Sequence, residues 1–518
     1  MRTKIRGRCV LMLALLAAVA SLPGRLSAQD AAAVIAAGKA LFERQFVAGE
    51  PINAGGDGLG PVFNHVSCLA CHHQGGAGGS GPVDVNASML SVDLIKLETA
   101  PERSEFRRAL AAIHPGFISA DGELASSVIL HRFGSDARYN AIRQKFLGAA
   151  VPLRPDEDER GELQGTLARA PAQPVKAARP LTLVVTQRNT TALFGAGLID
   201  QIPDATLHAI AALQSKHPEV SGRVAPIDNT KVGRFGWRGQ IEHLHEFNLG
   251  ACSNELGLQV PTKSQPMDPL RPEYKPSGLD LTIPQCLSLT AFVASLPAPK
   301  VVRPNDPDKL RAVEHGYKVF QAVGCVVCHV ETVGSAQGIY SDLLLHDLGP
   351  SLADPVEAQP VFVMVEQVQI PIESAHDQDG TIVENRLSVS SSTTTTSNTY
   401  YGRTTTMTST ARSILGQGVF YKTQRGFMTV VPDPKQQAYG IRTKYEPLPT
   451  NLTQEWRTPP LWGLQDSAPY LHDGRAATVI EAIALHGGEA EACTKRYLGL
   501  PAGDRLAMLA FLECLRAP

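Results

Sequence analysis

Two stretches of this 518-residue chain set two cysteines and a histidine at the same spacing: Cys68-Leu69-Ala70-Cys71-His72 and Cys325-Val326-Val327-Cys328-His329. C-x-x-C-H is the attachment signature of c-type haem. The two thiols add to the haem vinyl groups, and the histidine that follows binds iron from one face. With nine Cys and fifteen His in 518 residues, shuffling would produce such a run roughly 0.005 times per chain. Two occurrences therefore point to two covalently attached haem c groups. A CxxC redox pair, half of a zinc site and a disulfide are the competing readings, and the recurrence weighs against them.

Once His72 and His329 are taken as proximal ligands, the opposite face of each iron decides the chemistry. For the second haem, His486 ends the helical run Ile480 to Glu489 at Gly487-Gly488, so its ring can project from a helix end. His346 and His472 compete with it. For the first haem the sixth ligand stays open between His131, Met89 and an unliganded position facing polar groups. His73 adjoins the proximal ligand and reads as a surface or propionate contact. Glu255 and His245 are the acid–base candidates there, because splitting a peroxide needs a group that carries a proton from one oxygen to the other.

The chain that must position these groups repeats itself. A helical segment, Ala31 to Phe46, leads into the first motif, and Glu314 to Cys325 leads into the second. Arg188 to Gly195 (RNTTALFG) is echoed by Arg457 to Gly463 (RTPPLWG), and Phe235 to Gln240 by Tyr470 to Arg475, which sets His472 opposite Trp237. The helix Leu287 to Leu296, ended by Pro297, is echoed by Arg505 to Leu515. The expected fold is mainly α: two cytochrome c-type haem domains related by internal duplication, over 29–300 and 301–518. Pro152 to Pro180 reads as a surface connection and Pro297 to Pro307 as the interdomain linker. The second domain carries an insertion over about 355–450, with Val-rich alternation suited to strands in Pro360 to Leu387. It also holds a polar low-complexity tract, Ser388 to Ser413, read as a mobile or hairpin excursion or else a partner-docking loop.

Residues 1–28 read as a cleaved signal peptide: a basic start, an apolar run Val10 to Ala20, and small residues Leu26-Ser27-Ala28 before Gln29. This predicts a periplasmic protein with no membrane span after cleavage. Those residues hold five Lys/Arg and no Asp/Glu, so the remainder has 43 basic against 50 acidic side chains, a net charge of −7 that argues against nucleic acid as a partner. In an oxidising compartment the four cysteines outside the motifs are expected to pair by proximity as Cys252–Cys286 and Cys493–Cys514, with four buried thiols as the alternative.

The strings GLGPVFNHVSCLACHHQGG, RNTTALFGAGLIDQIP, GRFGWRGQIEHLHEF, ACSNELGL, YSDLLLHDLGP and RTPPLWGLQDSAPYLHDGRA with HGGEA resemble the bacterial di-haem cytochrome c peroxidase superfamily, which includes the di-haem enzyme that matures methylamine dehydrogenase. They look closest to its di-haem oxidoreductase, or thiol oxidoreductase, branch. The resemblance covers most of residues 33–518 and implies reduction of hydrogen peroxide or another small oxidant at the N-terminal haem. Electrons would come through the C-terminal haem from a small donor protein of cytochrome c or cupredoxin type. It implies that Trp237 is a stepping point between the haems and that Glu255 stands on the distal side of the first. His486 falls where the second haem's other ligand stands, and His472 lies in a recurrent His-Asp-Gly turn beside the cofactor. Asn189, with carbonyls near Ser467 and Pro469, matches an interhaem calcium site. The distal glutamine of the peroxidases has no clear counterpart, and His245 or Asn248 is expected in that region. A non-catalytic electron carrier and an oxidase of a protein or sulfur substrate are the alternative functions.

Overall fold

The computed structural model describes residues 28–92, 100–118, 124–125, 127–149, 151–152, 183–227, 231–354 and 453–518, together with strands between 362 and 447. The signal-like start and nearly all of the Pro152 to Pro180 connection lie outside the described residues. The protein is mainly helical. The helices that position the site are α1 (Ala28–Glu43), α2 (Leu244–Leu256), α3 (Ile283–Ser295), α4 (Pro307–Val323), α5 (Val479–Ala484), α6 (Glu491–Leu498) and α7 (Ala502–Leu512). Among the described residues no helix is long and apolar enough to cross a membrane.

Local chemistry starts and stops these helices where the motifs need them. The Asp306 side chain accepts from the backbone N–H groups of Asp308 and Lys309 to cap α4, and Pro307 occupies its first turn. The helix ends on Gly324, whose φ of 103° favours glycine, and the chain passes directly into Cys325. Capping boxes at Thr282 with Gln285 and at Thr478 with Glu481 start α3 and α5.

In each half the helix that leads to the motif packs against the helix that closes the half, and the close approach falls on a glycine. A Cβ on Gly38 would lie 1.9 Å from the Ser288 carbonyl oxygen, and one on Gly316 would lie 1.9 Å from that of Ala507. One turn on, Phe42 meets Phe292 at 5.2 Å and 59°, and Phe320 meets Phe511 at 5.4 Å and 56°. The same rings then lean on the motif histidines, Phe42 at 6.3 Å from His72 and Phe320 at 6.4 Å from His329. The echo continues downstream: Leu193 N–H donates to Gly78, Leu461 N–H donates to Ile339, and the bridges Phe235–Ile241 and Tyr470–Ala476 close turns of equal length. Substituting Gly316 by Ala must push α4 and α7 apart, because the obstacle is backbone. The expected cost is about 1–3 kcal/mol in urea unfolding, with an exposed Gly503→Ala change as the control.

Phe42, Phe292, Leu193, Leu244, Leu256 and Trp462 belong to one buried core, and Phe320, Tyr340, Tyr497, Met508 and Phe511 to a second. The first takes in Val333, Ile339 and Leu344 from the second half, so the halves are packed together rather than strung on a linker. A small sheet orders Ser127–Ile129, Ala87–Val92, Leu183–Arg188 and Val151–Pro152. Its strand Leu183–Arg188 runs directly into Asn189 and Thr190 between the two sites described below. In the insertion, antiparallel strands order Phe362–Pro371, Tyr439–Pro447, Gly426–Val431, Phe420–Thr423 and Ile382–Glu384. Within the low-complexity tract, Ser392–Tyr400 pairs with Arg403–Ala411 as a hairpin.

Candidate functional site

Each C-x-x-C-H motif opens into its own cavity, of about 200 Å³ at Cys68–His72 and about 300 Å³ at Cys325–His329. The first motif is a single helical turn whose N-cap, Ser67, accepts from Ala70 N–H at 3.1 Å. Cys68, Cys71 and His72 line the same cavity. His72 Nδ1 lies 3.0 Å from the Gly79 carbonyl oxygen. A carbonyl only accepts, so the ring proton sits on Nδ1. Burial pushes the His72 pKa down to about 4, which keeps the ring neutral near pH 7. The remaining nitrogen, Nε2, is therefore a bare donor atom of the kind a metal takes.

This tautomer sorts the other histidines. His329 Nδ1 donates to the Tyr340 carbonyl at 2.8 Å, and burial likewise lowers its pKa to about 4. His486 Nδ1 donates to the Ala482 carbonyl at 2.6 Å, and burial lowers its pKa too. Both line the second cavity, and they lie close enough for the charge of His486 to depress the pKa of His329. The expected rival His346 has neither nitrogen free: Nε2 meets Asp342 at 2.9 Å and Nδ1 meets Glu489 at 2.8 Å. His131 holds the Asn254 carbonyl through Nε2, and neither it nor the buried Met89 lines the first cavity. The first cavity therefore offers His72 as a ligand-competent histidine, and the second offers His329 and His486.

Besides His72, the first cavity is lined by Glu255, Asn248 and Gln240. Glu255 is the penultimate residue of α2, and Asn64 Nδ2 donates to its Oε2 at 2.6 Å. Asn64 is itself held by Arg132 N–H, which donates to its Oδ1 at 3.0 Å. Burial raises the Glu255 pKa against the pull of the Asn64 hydrogen bond, which suits this carboxyl to taking up and releasing a proton. The expectation for His245 is corrected. Its Nδ1 is engaged by Thr290 of α3 at 2.9 Å and the ring does not line the cavity, whereas Asn248 does. Sequence reading missed Asn64, Gln240 and His65. Val66 N–H donates to His65 Nδ1 at 2.9 Å, so in the neutral ring the proton is on Nε2, the wrong tautomer for a ligand.

The cavities share a wall of Asn189, Thr190, Thr191, Leu193, Gly236 and Trp237. Trp237 Nε1 donates to the Asn189 carbonyl at 3.0 Å, which fixes the indole between the two sites. His472 meets Trp237 edge-on at 6.4 Å and stacks on Trp456 at 3.6 Å and 10°. Burial, reinforced by Arg188, Arg475 and Arg238, drives its pKa well down. His472 thus lines the second cavity as a packed neutral ring. Asn189 Nδ2 donates to the Pro469 carbonyl at 2.6 Å, while its buried Oδ1 has no hydrogen-bond partner among the described residues. An orphaned amide oxygen in a wall that includes Ser467 and Pro469 fits a hard cation such as calcium.

The proposed disulfides are corrected as well. Cys252, Cys286, Cys493 and Cys514 are all free thiols. Cys514 donates to the Ala510 carbonyl, and Cys493 faces Cys325 at 3.7 Å rather than Cys514.

A family model described as "Di-haem oxidoreductase, putative peroxidase" matches residues 17–99 and 449–515. The first segment contains Asn64 and the Cys68–His72 motif, and the second contains Trp456, His472 and His486. No curated protein matches the chain. Among solved structures, a Kuenenia stuttgartiensis hydrazine synthase is similar at 16% identity over 64% of this chain and 73% of that one, with a TM-score of 0.25. A MauG-like protein associated with microbial copper homeostasis is similar at 15% identity over 61% of this chain and 90% of that one, also with a TM-score of 0.25.

Proposed function

We propose that the chain is a di-haem oxidoreductase, in keeping with the family model that matches residues 17–99 and 449–515, and that it is an exported, periplasmic peroxidase. On this reading it reduces hydrogen peroxide at the His72 site with electrons delivered through the His329/His486 site. The observation that carries the reading is the asymmetry of the donors. One cavity pairs a single bare histidine nitrogen with a carboxyl of raised pKa, and the other has two bare histidine nitrogens and no such carboxyl opposite them.

When bound, the two haems would supply one-electron chemistry at iron. Cys68 and Cys71 would hold the first through thioether bonds and Cys325 and Cys328 the second, with His72, and His329 with His486, as iron ligands. Reduction of hydrogen peroxide to two waters takes two electrons and two protons. Glu255 would take the proton from one peroxide oxygen and return it to the other, held in place by Asn64. Asn248 and Gln240 supply amide groups to the same cavity. Trp237 would be the stepping point in the shared wall, and Asn189 the calcium ligand that ties that wall to the Pro469 turn. A small cytochrome c or cupredoxin would be the electron donor.

Absorption and EPR spectra of the oxidised and half-reduced protein, followed by peroxide addition, test this. A high-spin ferric population that responds to peroxide is the expected result, and two low-spin haems inert to peroxide in every redox state would overturn it. Replacing His486 by Met should raise the reduction potential of the second haem, since the softer ligand favours the ferrous state. An unchanged potential in redox titration would remove His486 from the ligand set.

A further inference from the structure

Cys493 lines the second cavity together with Cys325 and Cys328, although it belongs to no attachment motif. It stands in the first turns of α6, and its Sγ lies 3.7 Å from Cys325 Sγ. Cys328 points elsewhere, with its Sγ 3.7 Å from His346 Nδ1. Cys325 therefore faces Cys493. The pairing is built in. Arg496, one turn along α6, donates through Nε to the Val323 carbonyl at 2.8 Å, two residues before Cys325. Its two terminal nitrogens hold Glu219 at 3.2 and 3.0 Å. Helix α6 is thus latched to the end of α4, with Cys493 held against Cys325. A disulfide needs sulfurs about 2.05 Å apart, so closure asks for about 1.7 Å of movement, within reach of side-chain rotation. The neighbouring Cys325 thiol, and the Arg496 guanidinium against the opposing effect of burial, favour the Cys493 thiolate, the form that attacks a disulfide.

We propose that Cys325 and Cys493 form a disulfide before haem is attached, and that this bond must be reduced before the second motif can take its haem. The second clause rests on reading the motif as a haem-attachment site; the first does not. In the forward step a disulfide-bearing oxidoreductase of the exporting compartment forms a mixed disulfide with Cys325. The Cys493 thiolate attacks the Cys325 sulfur, the Cys325–Cys493 bond forms, and the oxidant leaves as a dithiol carrying two electrons and two protons. A dithiol reductant reverses the exchange. The freed Cys325 S–H then adds across a vinyl C=C, sulfur to one carbon and hydrogen to the other, with no net electron transfer.

The test uses the exported full-length chain from haem-limited cells, alkylated at harvest and mapped by mass spectrometry. A cross-linked species joining the Cys325 and Cys493 peptides is expected. Recovery of Cys325 as a free thiol, or joined to Cys328, would overturn the proposal. In a second arm, covalent haem is counted at each motif in wild type and Cys493→Ser under limiting reductant. Second-site occupancy should rise at least about twofold in the variant while first-site occupancy stays level. Equal occupancy at every reductant level would overturn the second clause. Failure of either motif to bind haem covalently in fully reduced wild type would overturn the attachment reading, and the disulfide map would still decide the first clause.

Discussion

Replacing Glu255 by Gln is expected to slow hydrogen peroxide consumption by about 10²–10⁴-fold, the range in which a positioned proton carrier contributes, with both haems still bound. The substitution is close to isosteric, and a Gln carbonyl oxygen can accept from Asn64 Nδ2 as the carboxylate does at 2.6 Å. What is lost is the ability to exchange a proton. The pH dependence gives an independent readout. Burial raises the Glu255 pKa, and the ionised carboxylate is the form that accepts the peroxide proton. Wild-type activity should therefore fall as pH drops through that raised value, and the variant should lack this acidic limb. Asn64→Ala removes a donor that lowers the Glu255 pKa, so the limb should move to higher pH in that variant. A Glu255→Gln rate within twofold of wild type, measured by stopped-flow with haem content matched, would exclude Glu255 from proton transfer.

The two C-x-x-C-H motifs were legible because each is contained in five consecutive residues. The same residue types recur in the same order along the chain, and the helices that lead to the two motifs each meet a later helix closely at a glycine, Gly38 and Gly316. Side-chain direction was not legible. Spacing along α2 sets His245 one turn before Asn248, yet Thr290 on the neighbouring helix takes the His245 ring while Asn248 faces the cavity. Cysteine pairing failed for the same reason. Cys493 and Cys514 are 21 positions apart, but the Arg496 latch to Val323 turns Cys493 towards a residue 168 positions away. Trp456 carries no signal of its own in an E-W-R string, and its parallel stack on His472 exists only once the strand Glu455–Arg457 has paired with Leu345–Asp347. His346 was read as a possible ligand because a histidine has two nitrogens to offer. It is the fold that commits both of them to carboxylates.

That commitment makes His346 the position where a single change should cost the most stability. His346 is 3% exposed and Asp342 is fully buried, and Gln214 joins Asp342 while Ser221 joins Glu489. The network therefore pins the second-half strand Leu345–Asp347 to the first-half segment that holds Gln214 and Ser221. Burial alone would lower the His346 pKa and raise those of both carboxyls, but the ion pairs override it: His346 is held well above its usual value, and Asp342 and Glu489 below theirs. His346→Asn removes the cation and leaves the buried Asp342 carboxylate and the half-buried Glu489 carboxylate uncompensated, a loss of about 3–5 kcal/mol. The sign of the pH dependence follows from the directions of the shifts. The histidine contributes stability in full below its unfolded pKa of about 6.5 and loses it as pH rises through the raised folded value. The carboxyls contribute above their unfolded values of about 4 and lose that stability as pH falls through the lowered folded values. Wild type should therefore have a plateau of stability from about pH 5 to 6.5 with a decline on either side. The variant should instead gain stability as pH falls towards the carboxyl range, because protonating Asp342 or Glu489 relieves the unpaired charge. Urea unfolding of the haem-loaded protein from pH 4 to 9 separates the two curves, and a variant that tracks wild type in depth and shape would show that the network is held by its neutral hydrogen bonds alone.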